Sequence, residues 1–105
     1  MKARLLLLAV LATATFRVSA GTSFGGADCG QWFNEANQLN AKIWLSGYLS
    51  GLNSADGKQF GDPLSKLRSM EQAFLWVDNY CKANPLSTLP EAGNLLYIEL
   101  RGKKQ

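Results

Sequence analysis

Two cysteines, Cys29 and Cys81, constrain this chain more than any other feature, because the sequence around them opens like that of an exported protein. Its first residues, MKARLLLLAVLATATFRVSA, place Lys2 and Arg4 ahead of an apolar run from Leu5 to Thr15. Val18-Ser19-Ala20 then offers small residues where a signal peptidase cuts. The reading is a signal peptide over residues 1–20, cleavage after Ala20, and a single helical domain over residues 21–105 in the periplasm or secreted. The apolar run is too short, and too soon followed by Arg17, to span a bilayer, so no stable membrane insertion is expected after cleavage. In an oxidising compartment an even cysteine count favours an internal Cys29–Cys81 disulfide over two free thiols or an intermolecular bond. Such a bond closes a loop of about fifty residues and contributes roughly 4 kcal/mol on the chain-entropy model. For a domain this small, that is a large share of the net stability. The wide spacing excludes a redox CxxC pair, and two cysteines without a histidine make a poor zinc site. No metal or other cofactor is expected.

Removing the leader also changes the charge argument. Of the 11 Lys and Arg residues, Lys2, Arg4 and Arg17 lie in the leader, whereas all 8 Asp and Glu residues follow it, leaving the exported chain formally neutral. The basic pI of the full sequence therefore says little about partners, and no basic patch stands ready to neutralise a row of phosphates. The tail Arg101-Gly102-Lys103-Lys104 is basic but short. Nucleic acid is not an expected partner.

The pattern downstream is helical. Gly21 to Gly26 reads as a flexible lead-in, and Asp28 can cap a short turn through Cys29, Trp32 and Phe33, which pins that aromatic pair beside the disulfide. A second helix is expected from about Leu39 to Leu52, with Trp44, Tyr48 and Leu52 on one track and Ala41, Leu45 and Leu49 on its neighbour. Gly47 and Gly51, four apart, are read as allowing a partner helix close, within the fold rather than between copies. Asn53 to Gly61 reads as loop. Asp62-Pro63 offers a cap followed by proline, and Leu64, Leu67, Met70, Phe74, Val77 and Cys81 then recur at helical steps. Ser69 and Gln72 fit a capping box, so this helix can break and restart near Ser69. Asn84-Pro85 ends it. Thr88 with Glu91 offers another capping box before a last helix over Leu89 to Leu100, with Leu89, Ala92, Leu96 and Leu100 inward and Gly102 as terminator. The fold class is all-α, a small bundle of about four helices tied by one disulfide.

Enzyme chemistry finds little footing. The absence of histidine removes the usual serine or cysteine triad. Glu35, Asp56, Asp62, Glu71, Asp78, Glu91 and Glu99 show no spacing beyond that of solvated helix faces, and Gly21, Gly25 and Gly26 lack the strand and helix of a phosphate loop. No residue is assigned a catalytic role. The aromatic residues are the stronger signal. Phe74 and Tyr48 are expected in the core, while Trp76 leans off the apolar line, where it can pack on the last helix or face a partner. Asp78 and Asn79 would form a polar rim beside it. Trp44, Tyr48, Trp76 and Tyr80 are the candidate protein-binding residues. Exposure of Leu86 or Leu89 at the Pro85 turn would strengthen a binding reading.

Two stretches, Gly47-Tyr48-Leu49-Ser50-Gly51-Leu52-Asn53 and Tyr80-Cys81-Lys82-Ala83-Asn84-Pro85-Leu86, join the leader, Cys29 and the closing helix in a familiar order. As a set they resemble small exported bacterial proteins related to the acid-stress chaperone HdeA, and the periplasmic immunity proteins of type VI secretion called the Rap1a group. Both groups are small, mostly helical and disulfide-bonded. The chaperone resemblance implies a periplasmic stress-response dimer that loosens in acid and holds unfolding clients. Cys29 and Cys81 then match the tether, and Trp44, Tyr48, Leu49, Phe74 and Val77 match the buried surface that becomes client-binding. Without histidine, such a switch falls to carboxylates, whose ordinary pKa lies near 4. The immunity resemblance implies a stable domain that blocks one cognate toxin, with Gly47, Tyr48 and Gly51 in a structural glycine-aromatic motif. The leading expectation is a chaperone that binds protein clients, compatible with a homodimer. An immunity or inhibitor protein is the alternative, and a structural accessory protein a third.

Overall fold

The computed structural model describes residues 24–102, so the leader, Gly21 to Ser23 and the basic residues after Gly102 lie outside the described residues. Four helices follow in order: α1 (Cys29–Trp32), α2 (Glu35–Asp56), α3 (Met70–Ala83) and α4 (Leu89–Arg101), with two 3₁₀ turns, Gly57–Phe60 and Pro63–Lys66, between α2 and α3. The bundle is all-α and carries one disulfide, Cys29–Cys81, with its Cα atoms 5.1 Å apart.

Asp28 starts α1 with a full capping box. Its carboxylate accepts from the Gln31 amide at 2.8 Å while the Gln31 side chain accepts from the Asp28 amide. That cap drives Trp32, and not Phe33, inward: Trp32 is completely buried, while Phe33 stays exposed. The carboxamide of Asn34 then accepts from the Ala36 amide and starts α2 four residues before Leu39. The helix also runs on past Leu52, correcting the expected loop. Asn53 to Asp56 remain helical and Gly57–Phe60 continues as 3₁₀ turn.

The expected break before Ser69 is realised more fully than the apolar spacing implies. Asp62 takes a left-handed conformation (φ 56°) without a side-chain cap, and Pro63 opens a 3₁₀ turn instead of an α-helix. Steps of three, as in Leu64, Leu67 and Met70, suit a 3₁₀ turn as well as an α-helix. Neither half of the expected box forms: Ser69 makes no side-chain cap, the Gln72 amide donating instead to the Ser69 carbonyl at 3.3 Å, and the Gln72 side chain accepts from the Arg68 amide at 2.7 Å. Thr88 makes half of its expected box: its hydroxyl accepts from the Glu91 amide, but the Glu91 carboxylate accepts from Ser87.

Ala41, Leu45 and Leu49 of α2, Ala73, Val77 and Cys81 of α3, and Leu89, Ala92, Leu96 and Tyr97 of α4 form the core with Cys29 and Trp32. Phe74 and Tyr48, expected inside, are only half-buried at its edge. The smaller Ala73 and Val77 take the deep positions on α3, because α4 lies close against it. Gly26 is no free lead-in either: a Cβ there would meet Pro90 Cγ at 2.7 Å. Antiparallel pairing of Asp28 with Thr88 extends this contact, with the Cys29 amide donating to Ser87 and the Leu89 amide to Ala27. The disulfide and this bridge fasten the start of the chain to the turn between α3 and α4.

Candidate protein-binding surface

α4 packs against both α2 and α3, and that placement organises the four candidate aromatics. On α2, Trp44 and Tyr48 are one turn apart and stack, with ring centroids 4.7 Å apart and planes 15° from parallel. On α3, Trp76 and Tyr80 repeat the arrangement at 5.4 Å and 9°. Each ring also has its polar atom fixed. The Trp44 indole donates to the Phe24 carbonyl at 2.6 Å, and the Tyr48 hydroxyl donates to Asn94 at 2.7 Å. The Trp76 indole donates to Glu99 at 2.7 Å, and the Tyr80 and Ser87 hydroxyls share a bond of 2.9 Å. All four side chains are half-buried. Tyr48 reaches α4 so closely because Gly93 lies beneath it, where a Cβ would stand 3.0 Å from the Tyr48 ring.

One ring of each pair, Tyr48 and Trp76, holds α4, and they do so on opposite flanks. At 3.6 residues per turn the circumference of α4 runs Asn94, Ile98, Leu95, Glu99. Asn94 holds Tyr48 and Glu99 holds Trp76, so Ile98 and Leu95 lie between the two anchors, facing out. They are 49% and 43% exposed. The result is one face: an apolar ridge bordered by stacked aromatics with their polar ends satisfied. Half-buried Trp and Tyr beside exposed aliphatic side chains is the composition of a protein-binding surface, where aromatic rings supply contact area at small entropic cost. The ridge itself escapes the pattern reading. Its signal was present, since an inward set of Leu89, Ala92, Leu96 and Leu100 leaves Leu95 and Ile98 as surplus apolar residues on the opposite side.

Asp78 does not form a rim beside Trp76. It turns the other way and accepts the buried Trp32 indole at 2.6 Å, while Asn79 is exposed. Leu89 is fully buried, but Leu86 is 98% exposed at the Pro85 turn, where with Tyr80, Asn84, Pro85, Ser87 and Glu91 it lines an open surface groove of about 400 Å³. The Ser87 hydroxyl donates to the Glu91 carboxylate at 2.7 Å, which holds that turn.

Three interhelical bonds share one chemistry: Trp32 to Asp78, Trp76 to Glu99, and the Tyr97 hydroxyl to Asp56 at 2.7 Å each bring an aromatic donor to a carboxylate. They join α1 to α3, α3 to α4, and α4 to α2. Burial pushes the Tyr97 phenol up to about 12, with its hydrogen bond to Asp56 and the charge of that carboxylate acting the same way. Among the described residues no cluster of cysteines and carboxylates could hold a metal ion, and no helix is long and apolar enough to cross a membrane. Comparison with protein-family models, curated proteins and solved structures finds no match for the chain.

Proposed function

We propose that the chain is an exported protein-binding domain of the acid-stress chaperone type, with α4 at the centre of its client surface. The observation that carries this reading is the set of three aromatic-to-carboxylate bonds that join all four helices. A hydrogen bond to an ionised carboxylate is roughly twice as strong as one to a neutral acceptor. Loss of these three ties together would free α4 to part from its neighbours. Separation adds the inner face of Leu89, Leu96 and Tyr97 to the Leu95–Ile98 ridge already outside. The Cys29–Cys81 bond survives acid and limits the opening, which lets the domain close again at neutral pH. The likeness to HdeA-related proteins points the same way.

The test is light scattering of an acid-labile client at low pH. Suppression by the oxidised protein, reduced several-fold in L95D/I98D, is the expected result. Suppression that this double variant leaves unchanged would remove α4 from the client surface, and no suppression at all would end the chaperone reading.

A cognate-partner inhibitor is the second reading, favoured by Leu86. A nearly fully exposed leucine on a turn fixed by Ser87, Glu91 and the neighbouring disulfide is a rigid apolar knob, suited to one matched pocket. That reading expects tight binding of one partner near neutrality, lost in Leu86→Asp.

A further inference from the structure

The groove at the Pro85 turn has a chemistry set by where its hydrogens go. The Ser87 hydroxyl donates to Glu91 Oε2 at 2.7 Å, so in its 2.9 Å bond with Tyr80 it is the tyrosine that donates. Both hydroxyl hydrogens are spent inward, and the relay ends on a carboxylate. Asn84 turns its carboxamide nitrogen onto the Tyr80 carbonyl at 3.0 Å, which leaves its oxygen uncommitted. The backbone amides of Asn84, Ser87 and Glu91 are likewise spent, on the carbonyls of Tyr80 and Asn84 and on the Thr88 hydroxyl, and Pro85 has none. What remains for a ligand is predominantly acceptors: the exposed Glu91 carboxylate, the Asn84 carboxamide oxygen and the Tyr80 and Ser87 hydroxyl oxygens, against one backbone N–H, at Leu86. No cation lines the groove. Lys82, the basic residue in the last turn of α3, lies two positions from Tyr80, about 200° around the helix. Trp76 stacks on one face of the Tyr80 ring at 5.4 Å, and Tyr80 lines the groove with what that stack leaves open.

We propose that this groove takes an arginine side chain of a protein partner. A guanidinium carries donors and no acceptor, so it matches a lining of acceptors, whereas an anion or a carbonyl would face a carboxylate with little to bond it. Its plane can lie on the Tyr80 ring while its N–H groups reach Glu91, a combination that the compact ammonium of lysine serves less well. A groove of about 400 Å³ admits the whole side chain, and its aliphatic stem has Leu86 to pass against. Such a site presupposes the cognate-partner reading of the Pro85 turn and deepens it: that partner must set an arginine beside its pocket for Leu86.

The test titrates a blocked alanine peptide bearing one arginine into isotope-labelled, oxidised protein at neutral pH and low salt, with amide shifts followed by NMR. A second peptide carries citrulline, which keeps the shape of arginine without its charge. Expected are saturable shifts at Tyr80, Leu86, Ser87 and Glu91 with the arginine peptide and none with the citrulline one. E91Q should weaken binding about tenfold, the effect of removing a charge-assisted bond, while the rest of its spectrum stays in place and shows the fold intact. Leu86→Ser should leave the arginine peptide bound although it removes the apolar knob, so the groove and the cognate-partner reading can fail separately. Equal shifts with both peptides, shifts spread over other carboxylates such as Glu71 and Asp62 and unchanged in E91Q, or no shift up to the solubility of the peptide would each overturn the inference.

Discussion

A tyrosine hydroxyl inside a protein needs an acceptor, and Tyr97, only 3% exposed, has the Asp56 carboxylate at 2.7 Å. Burial and the adjacent negative charge both oppose its ionisation and raise its pKa from 10 to about 12. The folded state thus holds the phenolic proton where the unfolded chain releases it. Stability from this group is fully present below about pH 10 and is lost as pH rises toward about 12. Chemical unfolding followed across that window should show wild-type stability falling with pH, and a shallower fall in Tyr97→Phe. Trp32 obeys the same logic, its buried indole placed against Asp78. Neither pairing was legible in the sequence. The partners stand 41 and 46 positions apart, and no local pattern connects donors and acceptors across that distance.

Helices were legible in proportion to how far local rules govern them. α4 follows its expected course, with an N-cap threonine, proline in the first turn and Gly102 past the end. α2 is longer than its apolar tracks imply, since Asn34 supplies a cap upstream of the first apolar position. The series from Leu64 to Cys81 misleads at its start, because three-residue steps do not separate a 3₁₀ turn from an α-helix. Glycine shows the difference most clearly. The spacing of Gly47 and Gly51 marks them as the close-packing pair, yet among the glycines within the α-helices it is Gly93 against which a ring lies. Opposite effects on stability follow. In thermal melts of dilute protein, Gly47→Ala should stabilise by up to about 1 kcal/mol through helix propensity alone. Gly93→Ala should destabilise, because its Cβ would displace the Tyr48 ring and loosen the contact with Asn94.

At the scale of the molecule the bundle combines one covalent tie with a few polar ones, and the two kinds respond to different conditions. The Cys29–Cys81 bond fastens the first helix to the third, while carboxylates hold α3 to α1 and α4 to its neighbours. The disulfide and the helical class could be read from cysteine count, the expected compartment and periodicity. The candidate surface could be read only in part: the four aromatics stand out by type, but their gathering around α4 depends on packing that the sequence does not display. The central proposal is that acid opens this bundle reversibly, with α4 parting from its neighbours while the disulfide holds. Its most direct test follows tryptophan emission and binding of an apolar dye in the oxidised protein from neutral pH into strong acid and back. The account predicts red-shifted emission and a cooperative rise in dye binding on acidification, with both reversed on return to neutrality. Emission and dye binding that stay at their neutral values down to about pH 2, below the ordinary carboxylate range, would contradict it.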